Sequence, residues 1–196
     1  MSYAKLILIT VNEKLEIDRI KLANKLWRAG FLGDEFESFG EKHYLPGRRF
    51  LQYIKCKNAM EAIELVGILD GEPIYSIRNK IEQYLIQVTQ AINEVEFLSG
   101  GNTIPPNCKY CQYEEKNWAN VISEWYENKN AYFWICPLCS NKTSVYELDW
   151  KKRAGFGGFF IGICNIHEDE AYPVEELFET LKRFTSDKWT YFYYTL

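Results

Sequence analysis

The feature that most constrains this chain is a pair of Cys-x-x-Cys sequences, Cys108-Lys-Tyr-Cys111 and Cys136-Pro-Leu-Cys139. A Cys-x-x-Cys turn directs both sulfur atoms toward one point, and two such turns supply the four thiolates that tetrahedral Zn²⁺ prefers. Residues 112–135 separate the pairs. This gap is somewhat longer than the range of about 15–20 residues usual for paired knuckles, and it leaves room for a short helix or a long hairpin. We therefore predict that all four cysteines bind one structural Zn²⁺.

The same four cysteines have other interpretations. Disulfide bonds are one, but the sequence begins without a secretory signal, which favours a reducing compartment. Redox chemistry is another, although it needs only one pair, at the start of a helix that follows a strand, and Cys108 instead follows Pro105-Pro106. A catalytic zinc would need an open coordination position, and four cysteines close the shell. Structural zinc is the leading prediction, and the other interpretations stay open.

Residues 106–142 resemble the zinc-ribbon family of structural metal sites, through the two pairs and the Cys-Pro-x-Cys form of the second. The resemblance covers this segment only, and it implies a metal held between two knuckles. Between the knuckles, residues 113–129 carry apolar side chains at helical spacing, and Ala131–Ile135 predicts a strand leading to Cys136. A helix inside the module departs from a minimal, hairpin-only zinc ribbon.

Length and composition limit the class of protein. The 196 residues suffice for one sizeable domain or two small ones, and 47% hydrophobic and 16% aromatic residues exclude a disordered chain. A net charge of −4 opposes a general electrostatic nucleic-acid binder, which is normally basic. The sequence lacks an apolar run approaching the roughly 18 residues of a membrane span. We predict a cytoplasmic protein with no membrane partner.

The N-terminal part predicts an α/β unit. Before residue 58 the predicted elements are a buried strand Ala4–Val11, a helix Leu15–Ala29 capped by Asn12 and stopped by Gly30, a long connection Phe31–Gly47 and a strand Arg49–Lys55. A capping box of Asn58 and Glu61 predicts a short helix that carries Met60, Ile63, Val66 and Leu69. Pro73 then predicts the first turn of another helix. Its apolar stripe, interpreted as core, is Ile74, Ile77, Ile81, Tyr84, Leu85, Val88 and Ile92.

Ser99–Pro106, with its Gly-Gly and Pro-Pro pairs, predicts a boundary. The elements predicted after the second knuckle are a strand Val145–Trp150, a strand Phe159–Ile166, a polar loop His167–Glu170, a helix opened by Pro173 and a strand Trp189–Tyr194. We predict an α+β fold in which two small α/β sub-domains flank the zinc module. The predicted units are an N-terminal domain 1–98, the zinc module 106–142, and a strand–helix–strand unit 143–196 packed on that module.

Lys151, Lys152 and Arg153 form the best basic cluster for contact with phosphate or nucleic acid. Neighbouring glycines add flexibility, and Trp150, Phe156 and Phe159 would supply aromatic rings on which bases could stack. The pattern is neither a phosphate-binding loop nor a dinucleotide fingerprint, because no Gly-Lys-Ser/Thr follows the glycines and a strand comes next. The interpretation without a binding function, a solvated turn of a hairpin, is favoured.

Glu168, Asp169 and Glu170 follow His167 and form an acidic patch for contact with a partner protein. Consecutive residues of a loop point in different directions, so a solvated loop before an acidic helix N-terminus is the favoured interpretation. The remaining cysteines, Cys56 and Cys164, lie in or beside predicted strands, where a free cysteine usually behaves as a small buried hydrophobe.

No catalytic set can be assembled from these motifs, so we lean against an enzyme. The leading hypothesis is a non-catalytic, zinc-binding protein that acts through protein–protein contact, as an adaptor, a regulator or an immunity-type inhibitor. Its Tyr and Trp content suits an interface, although a core uses the same residues. The alternative is a zinc-ribbon protein that binds nucleic acid. An enzyme whose site is assembled from distant residues is the third possibility.

Overall fold

The computed structural model describes residues 4–10, 17–38, 40–57, 63–69, 72–77, 84–89, 94–129 and 132–196. Its strands are β1 Ala4–Thr10, β2 Leu32–Ser38, β3 Glu41–Pro46, β4 Ile54–Cys56, β5 Ile63–Leu69, β6 Glu72–Ile77, β7 Leu85–Val88, β8 Glu96–Ser99, β9 Trp134–Ile135, β10 Lys142–Thr143, β11 Ala154–Gly157, β12 Phe159–Cys164, β13 Ala171–Pro173 and β14 Trp189–Thr195. Its α-helices are α1 Arg19–Arg28, α2 Phe50–Tyr53, α3 Trp118–Glu127 and α4 Glu175–Thr185. The mixture of helices and antiparallel sheets confirms the predicted α+β class.

A six-stranded sheet in the order β14-β1-β12-β7-β3-β2, here called the main sheet, joins both ends of the chain. Strand β1 lies antiparallel between β12 and β14, with Leu8 opposite both Ile161 and Tyr191. The strands predicted around β1, β12 and β14 are therefore confirmed, although Val11 lies outside the described residues. Because β12 and β14 pair with β1, the third predicted unit shares a sheet with the first. The division of the chain into three units stays a prediction.

Both faces of the main sheet are covered near β1, which explains why its sequence is continuously apolar rather than alternating. Leu6 and Leu8 pack with side chains of α1 and α4, such as Leu26 and Leu181, in the larger core. Ile7 and Ile9 point to the opposite face, where they pack with Phe192. Both predicted amphipathic helices are confirmed as α1 and α4, although the predicted start of the first, Leu15, lies outside the described residues.

Two predictions before residue 58 are wrong. Residues 31–47 are not a connection, because β2 and β3 pair as a hairpin with Glu35 opposite Tyr44. Residues 49–55 begin as the helical turn α2 and become extended only at Ile54. Gly30, however, has φ +79° and ends α1 as predicted, since this left-handed conformation favours glycine. The predicted cap Asn12 lies outside the described residues, and Asp18 caps α1 by accepting from Lys21 N.

The two helices predicted over residues 58–92 are also wrong, because the structure has strands there. β5 and β6 pair with each other, and β7 pairs with β12 and β3 in the main sheet. Isoleucine and valine every three or four residues also satisfy a two-residue alternation in part, and β-branched side chains favour strands. Tyr84 is buried as predicted, whereas Leu85 is only half-buried. Asn58, Met60, Glu61, Ile81 and Ile92 lie outside the described residues.

A second, smaller core lies apart from the main sheet and surrounds the cysteine pairs; residues 94–129 and 132–157 form what we call the cysteine lobe. Its buried side chains include Val95, Trp125, Val145 and Phe156. The predicted helix between the knuckles is confirmed as α3. The strand predicted over residues 145–150 is wrong, because Val145–Glu147 form a 3-10 helix. Among the described residues no helix is long and apolar enough to cross a membrane.

Candidate metal centre

The four cysteine sulfur atoms lie within 4.8 Å of one another, so the predicted cluster is confirmed as a group able to hold a metal ion. Cys108 Sγ lies 3.8 Å from Cys139 Sγ, and Cys111 Sγ lies 3.6 Å from Cys136 Sγ. These separations are far longer than the roughly 2.05 Å of a disulfide bond, so the sulfur atoms are free thiols arranged around one point.

The two knuckles have the same backbone geometry. Gln112 N donates to Cys108 O and Ser140 N donates to Cys136 O, each at 2.9 Å. Gln112 and Ser140 both adopt a left-handed conformation, with φ of 62° and 58°. A second bond closes each turn, from Cys108 N to Tyr113 O at 2.8 Å and from Cys136 N to Asn141 O at 3.0 Å. This repetition brings each pair of sulfur atoms to the same side of its turn.

The two cysteines of each knuckle differ in exposure, and the two half-buried cysteines differ in pKa. Cys108 and Cys136 are buried, whereas Cys111 and Cys139 are half-buried. Hydrogen bonds from the backbone N–H and the side-chain amide of Asn141 lower the pKa of Cys139 to about 6. For Cys111 the backbone N–H of Tyr113 lowers the pKa, but burial and the neighbouring thiols outweigh it and raise the pKa to about 12. The pKa of Cys139 therefore lies well below that of Cys111.

Glu115 joins the two halves of the centre, and sequence reasoning missed it. Its side chain is buried, with Oε1 accepting from Asn117 N at 2.8 Å and Oε2 accepting from Trp134 Nε1 at 3.2 Å. The first bond fixes the entry to α3, and the second holds the strand that leads to Cys136. A carboxylate with two charge-assisted hydrogen bonds is a strong local tether. Nothing in the sequence distinguishes Glu115 from its neighbour Glu114.

The basic cluster predicted for nucleic-acid contact is engaged within the protein. Lys151 Nζ lies 3.5 Å from Glu114 Oε2 and Arg153 Nε lies 3.0 Å from Glu168 Oε1. Lys152 Nζ stacks over the ring of Tyr191 at 4.2 Å from its centroid. The three side chains therefore turn to three different partners. Contact with nucleic acid stays a prediction for them, and any such contact would compete with these interactions.

The aromatic side chains expected to support that cluster are not available for stacking, and this expectation is wrong. Trp150, Phe156 and Phe159 are buried, the first two in the core of the cysteine lobe and the third in the larger core. Trp150 Nε1 donates to Val145 O at 3.0 Å, which fixes the indole inside. The neighbouring Gly155 and Gly157 lie in β11 rather than in a flexible turn.

The acidic patch is a fixed turn, as its loop sequence predicted. Glu170 Oε2 accepts from His167 N at 3.1 Å, and Asp169 adopts a left-handed conformation with φ of 65°. Since Glu168 pairs with Arg153, the predicted acidic and basic surfaces adjoin and partly neutralise each other. Contact of these acids with a partner protein stays a prediction. Of the two lone cysteines, Cys164 is buried as expected and Cys56 is half-buried.

Sequence reasoning also missed a set of exposed apolar side chains on the cysteine lobe, here called the knuckle face: Tyr110, Phe133, Ile135 and Leu138. Tyr110 and Leu138 are the third residues of the two Cys-x-x-Cys turns, and Leu138 is 67% exposed. Phe133 and Ile135 lie on one side of β9 and its approach, and Ile135 is 61% exposed. Trp134 and Cys136 alternate with them and point inward. The two-residue alternation was visible in the sequence, but the sequence did not show which of the two sides would be buried by the rest of the protein.

Comparison of the chain with protein-family models, with curated proteins and with solved structures gives no match. The class defined by the fold and the site is therefore an α+β protein with a four-cysteine cluster that is able to hold a metal ion.

Proposed function

We propose that Cys108, Cys111, Cys136 and Cys139 bind one structural Zn²⁺ in a zinc-ribbon-like centre. Thiolates at about 2.3 Å from a tetrahedral Zn²⁺ lie about 3.8 Å from one another. The sulfur separations of 3.8 and 3.6 Å agree with that figure before any rearrangement. Four thiolates leave no coordination position for water or substrate, so the role of the metal is to hold the fold.

We further propose that the protein is a non-catalytic binding protein, and that the knuckle face is its contact surface for a partner protein. The observation that carries this proposal is the exposure of Ile135 and Leu138 on a part of the chain that the metal makes rigid. Large apolar side chains grouped in the open are typical of interaction surfaces, and a rigid support lowers the entropy lost on binding.

The charges beside the knuckle face indicate the chemistry of the partner. Lys142 Nζ lies over the ring of Phe133, 4.2 Å from its centroid, and has no ion pair within the described part of the chain. Lys109 lies near Tyr110 but already pairs with Glu147 at 2.9 Å. The partner surface we expect is therefore apolar, with an acidic residue facing Lys142.

A protein partner is favoured over nucleic acid by the charges that remain available. The basic residues 151–153 have partners within the protein, and the aromatic rings beside them are buried. Binding to a polyanion draws most of its affinity from cations neutralising phosphates. The cytoplasm is the location we propose, since thiol ligands must stay reduced to hold a metal.

The test compares two exposed isoleucines. Ile135→Asp alters the knuckle face, and Ile20→Asp makes the same change on α1, where Ile20 is 74% exposed. Purified tagged protein would be used to capture partners from the host, with both variants first shown to melt like the wild type. We expect Ile135→Asp to lose proteins that the wild type and Ile20→Asp both retain. Identical capture by all three proteins would contradict the knuckle face as a contact surface.

A further inference from the structure

A cavity of about 640 Å³ opens beside the main sheet, and none of the four clustered cysteines is among the residues that line it. Its walls come from β1, β3, β7 and β12 and from the start of α1. The residues that line it are Lys5, Arg19, Gly40, Glu41, Lys42, Gln87, Val88, Thr89 and Phe160. The cavity therefore lies where side chains from strands far apart in sequence converge on one point.

The charge of these walls contrasts with that of the whole protein. Three cations, Lys5, Arg19 and Lys42, line the cavity against one carboxylate, Glu41, in a chain whose net charge is −4. Lys42 is occupied, because its Nζ lies 2.6 Å from Glu35 Oε1. Arg19 has no hydrogen bond or ion pair with the described residues; its charge acts on Glu35 through space, and its guanidinium offers a planar set of donors. A positive concavity in an acidic protein concentrates anions.

A hydrogen-bonded network holds Lys5 at the inner wall. His43 Nδ1 lies 3.0 Å from the carbonyl oxygen of Glu41 and donates to it, which in a neutral imidazole leaves Nε2 as an acceptor. The amide nitrogen of Gln87 donates to His43 Nε2 at 2.9 Å and to Glu41 Oε2 at 2.5 Å. Its oxygen is thereby directed to Lys5 Nζ, 2.5 Å away. Gln87 thus acts as a positioning residue for the ammonium group.

The neighbouring residue on β12, Gly162, places no side chain against Lys5. Gly162 lies between β1 and β7, and a Cβ atom there would lie 3.5 Å from Lys5 Cδ and 4.0 Å from Gln87 Oε1. A larger side chain would occupy the space above the lysine. Thr89 and Phe160 complete the wall through bonds to each other, since Thr89 Oγ1 donates to Phe160 O at 2.7 Å. The half-exposed Phe160 ring adds an apolar side to a polar floor.

From these contacts we propose that the cavity binds a small oxyanion, a phosphate- or carboxylate-bearing molecule, through Lys5 and Arg19. Arg19 forms the planar, paired hydrogen bonds that both kinds of oxyanion accept, and Lys5 supplies a point charge. This site is independent of the metal centre and of the knuckle face, so it stands or fails separately from the function proposed above.

The experiment follows backbone amide resonances of the whole metal-loaded protein during titration with inorganic phosphate and, separately, with citrate. Shifts localised at Gly40, Thr89 and Phe160 are expected for at least one probe, and the tighter probe identifies the chemical source. Arg19→Gln should weaken binding by about tenfold or more, whereas Arg28→Gln, the same change at the exposed far end of α1, should alter it by less than about twofold. Lys5→Gln is the second variant, with Lys188→Gln as its control.

Two results would overturn the oxyanion site. One is the lack of localised shifts with either probe up to about 10 mM. The other is equal binding by Arg19→Gln and Arg28→Gln, which would show that any attraction is a general surface effect. Arg19 is only half-buried and makes no described hydrogen bond, so its replacement is expected to leave the fold intact and the comparison valid.

Discussion

The main sheet and the cysteine lobe are stabilised in different ways, although one chain builds both. The larger core lies on the sheet and combines aliphatic side chains from β1, β7, β12, α1 and α4 with aromatic rings such as Tyr84 and Trp189. The core of the cysteine lobe is smaller, and tilted and edge-to-face ring contacts join Phe97, Trp125 and Phe156 in it. Its strands β9 and β10 are two residues each, too short to stand alone. From this difference we expect the lobe to depend on its cysteine centre for stability and the sheet to depend on its apolar surface.

The largest effect we expect is selective unfolding of the cysteine lobe when its metal is lost. Metal binding at such centres is folding free energy, on the order of 10 kcal/mol in small zinc peptides. Removing the metal with a chelator, or replacing Cys136 by Ser, should abolish the ordered environment of Trp118, Trp125, Trp134 and Trp150 while the main sheet remains. Near-ultraviolet circular dichroism and amide hydrogen exchange would measure this, and elemental analysis should give about one zinc per chain.

The control for that experiment is Cys164→Ser, which replaces a cysteine of the main sheet that is not one of the four in the cluster. It should leave the zinc content unchanged and alter only the stability of β12. Purified wild-type protein that contains no metal yet melts as one cooperative unit would contradict the structural role of the centre. An equal loss of amide protection in the cysteine lobe and in the main sheet would also contradict this role, because both regions would then depend on the metal to the same extent.

The second largest effect is a difference in stability between substitutions on the two sides of β7, a segment that was predicted as a helix and is a strand in the structure. Ile86 is fully buried in the larger core, and its neighbour Leu85 points to the other face and is half-buried. Ile86→Ala should lower the free energy of unfolding by about 2–5 kcal/mol. Leu85→Ala should cost distinctly less, since less apolar surface is lost. Urea denaturation of both variants gives the comparison, and equal costs would contradict the alternation of a strand.

The cysteine cluster was predictable because the information is local: each Cys-x-x-Cys turn positions its own two sulfur atoms. The continuously apolar β1 and the aromatic β14 were predictable for a similar reason. β2 and β3 were missed because Gly33 and the acidic residues of β2 hide the alternation of apolar and polar residues. The hairpin is stabilised by the pairing of β3 with β7, which is distant in sequence. The helices predicted over residues 58–92 failed because branched apolar residues satisfy two periodicities, and long-range pairing decides between them.

The candidate site shows the same division between local and distant information. Both knuckles are encoded within a few residues, but Glu115 acts on Trp134 across 19 positions and carries no motif. Lys5, Arg19 and Gln87 meet only because β1, α1 and β7 are brought together by the sheet. The predicted basic and acidic clusters were sound as sequence features. The sequence does not show that Arg153 and Glu168 form an ion pair, which joins the basic cluster to the acidic one.

The smallest effect we expect concerns that ion pair, which the structure forms between a turn of the cysteine lobe and a loop beside the main sheet. Arg153 Nε and Glu168 Oε1 lie 3.0 Å apart, and each side chain is 33% exposed. Exposed pairs of this kind contribute about 0.2–1 kcal/mol, and salt screens them. A double-mutant cycle with Arg153→Ala and Glu168→Ala should therefore give a coupling in that range.

Replacing Lys151, Lys152 and Arg153 together by Ala should leave any nucleic-acid binding weak and unchanged. If these residues instead contact phosphates, the triple variant would flatten the salt dependence of binding by up to about 3 units, because each contact releases counterions. That outcome in a filter-binding assay would reverse the preference for a protein partner, and it would mean that the Arg153–Glu168 pair opens on binding.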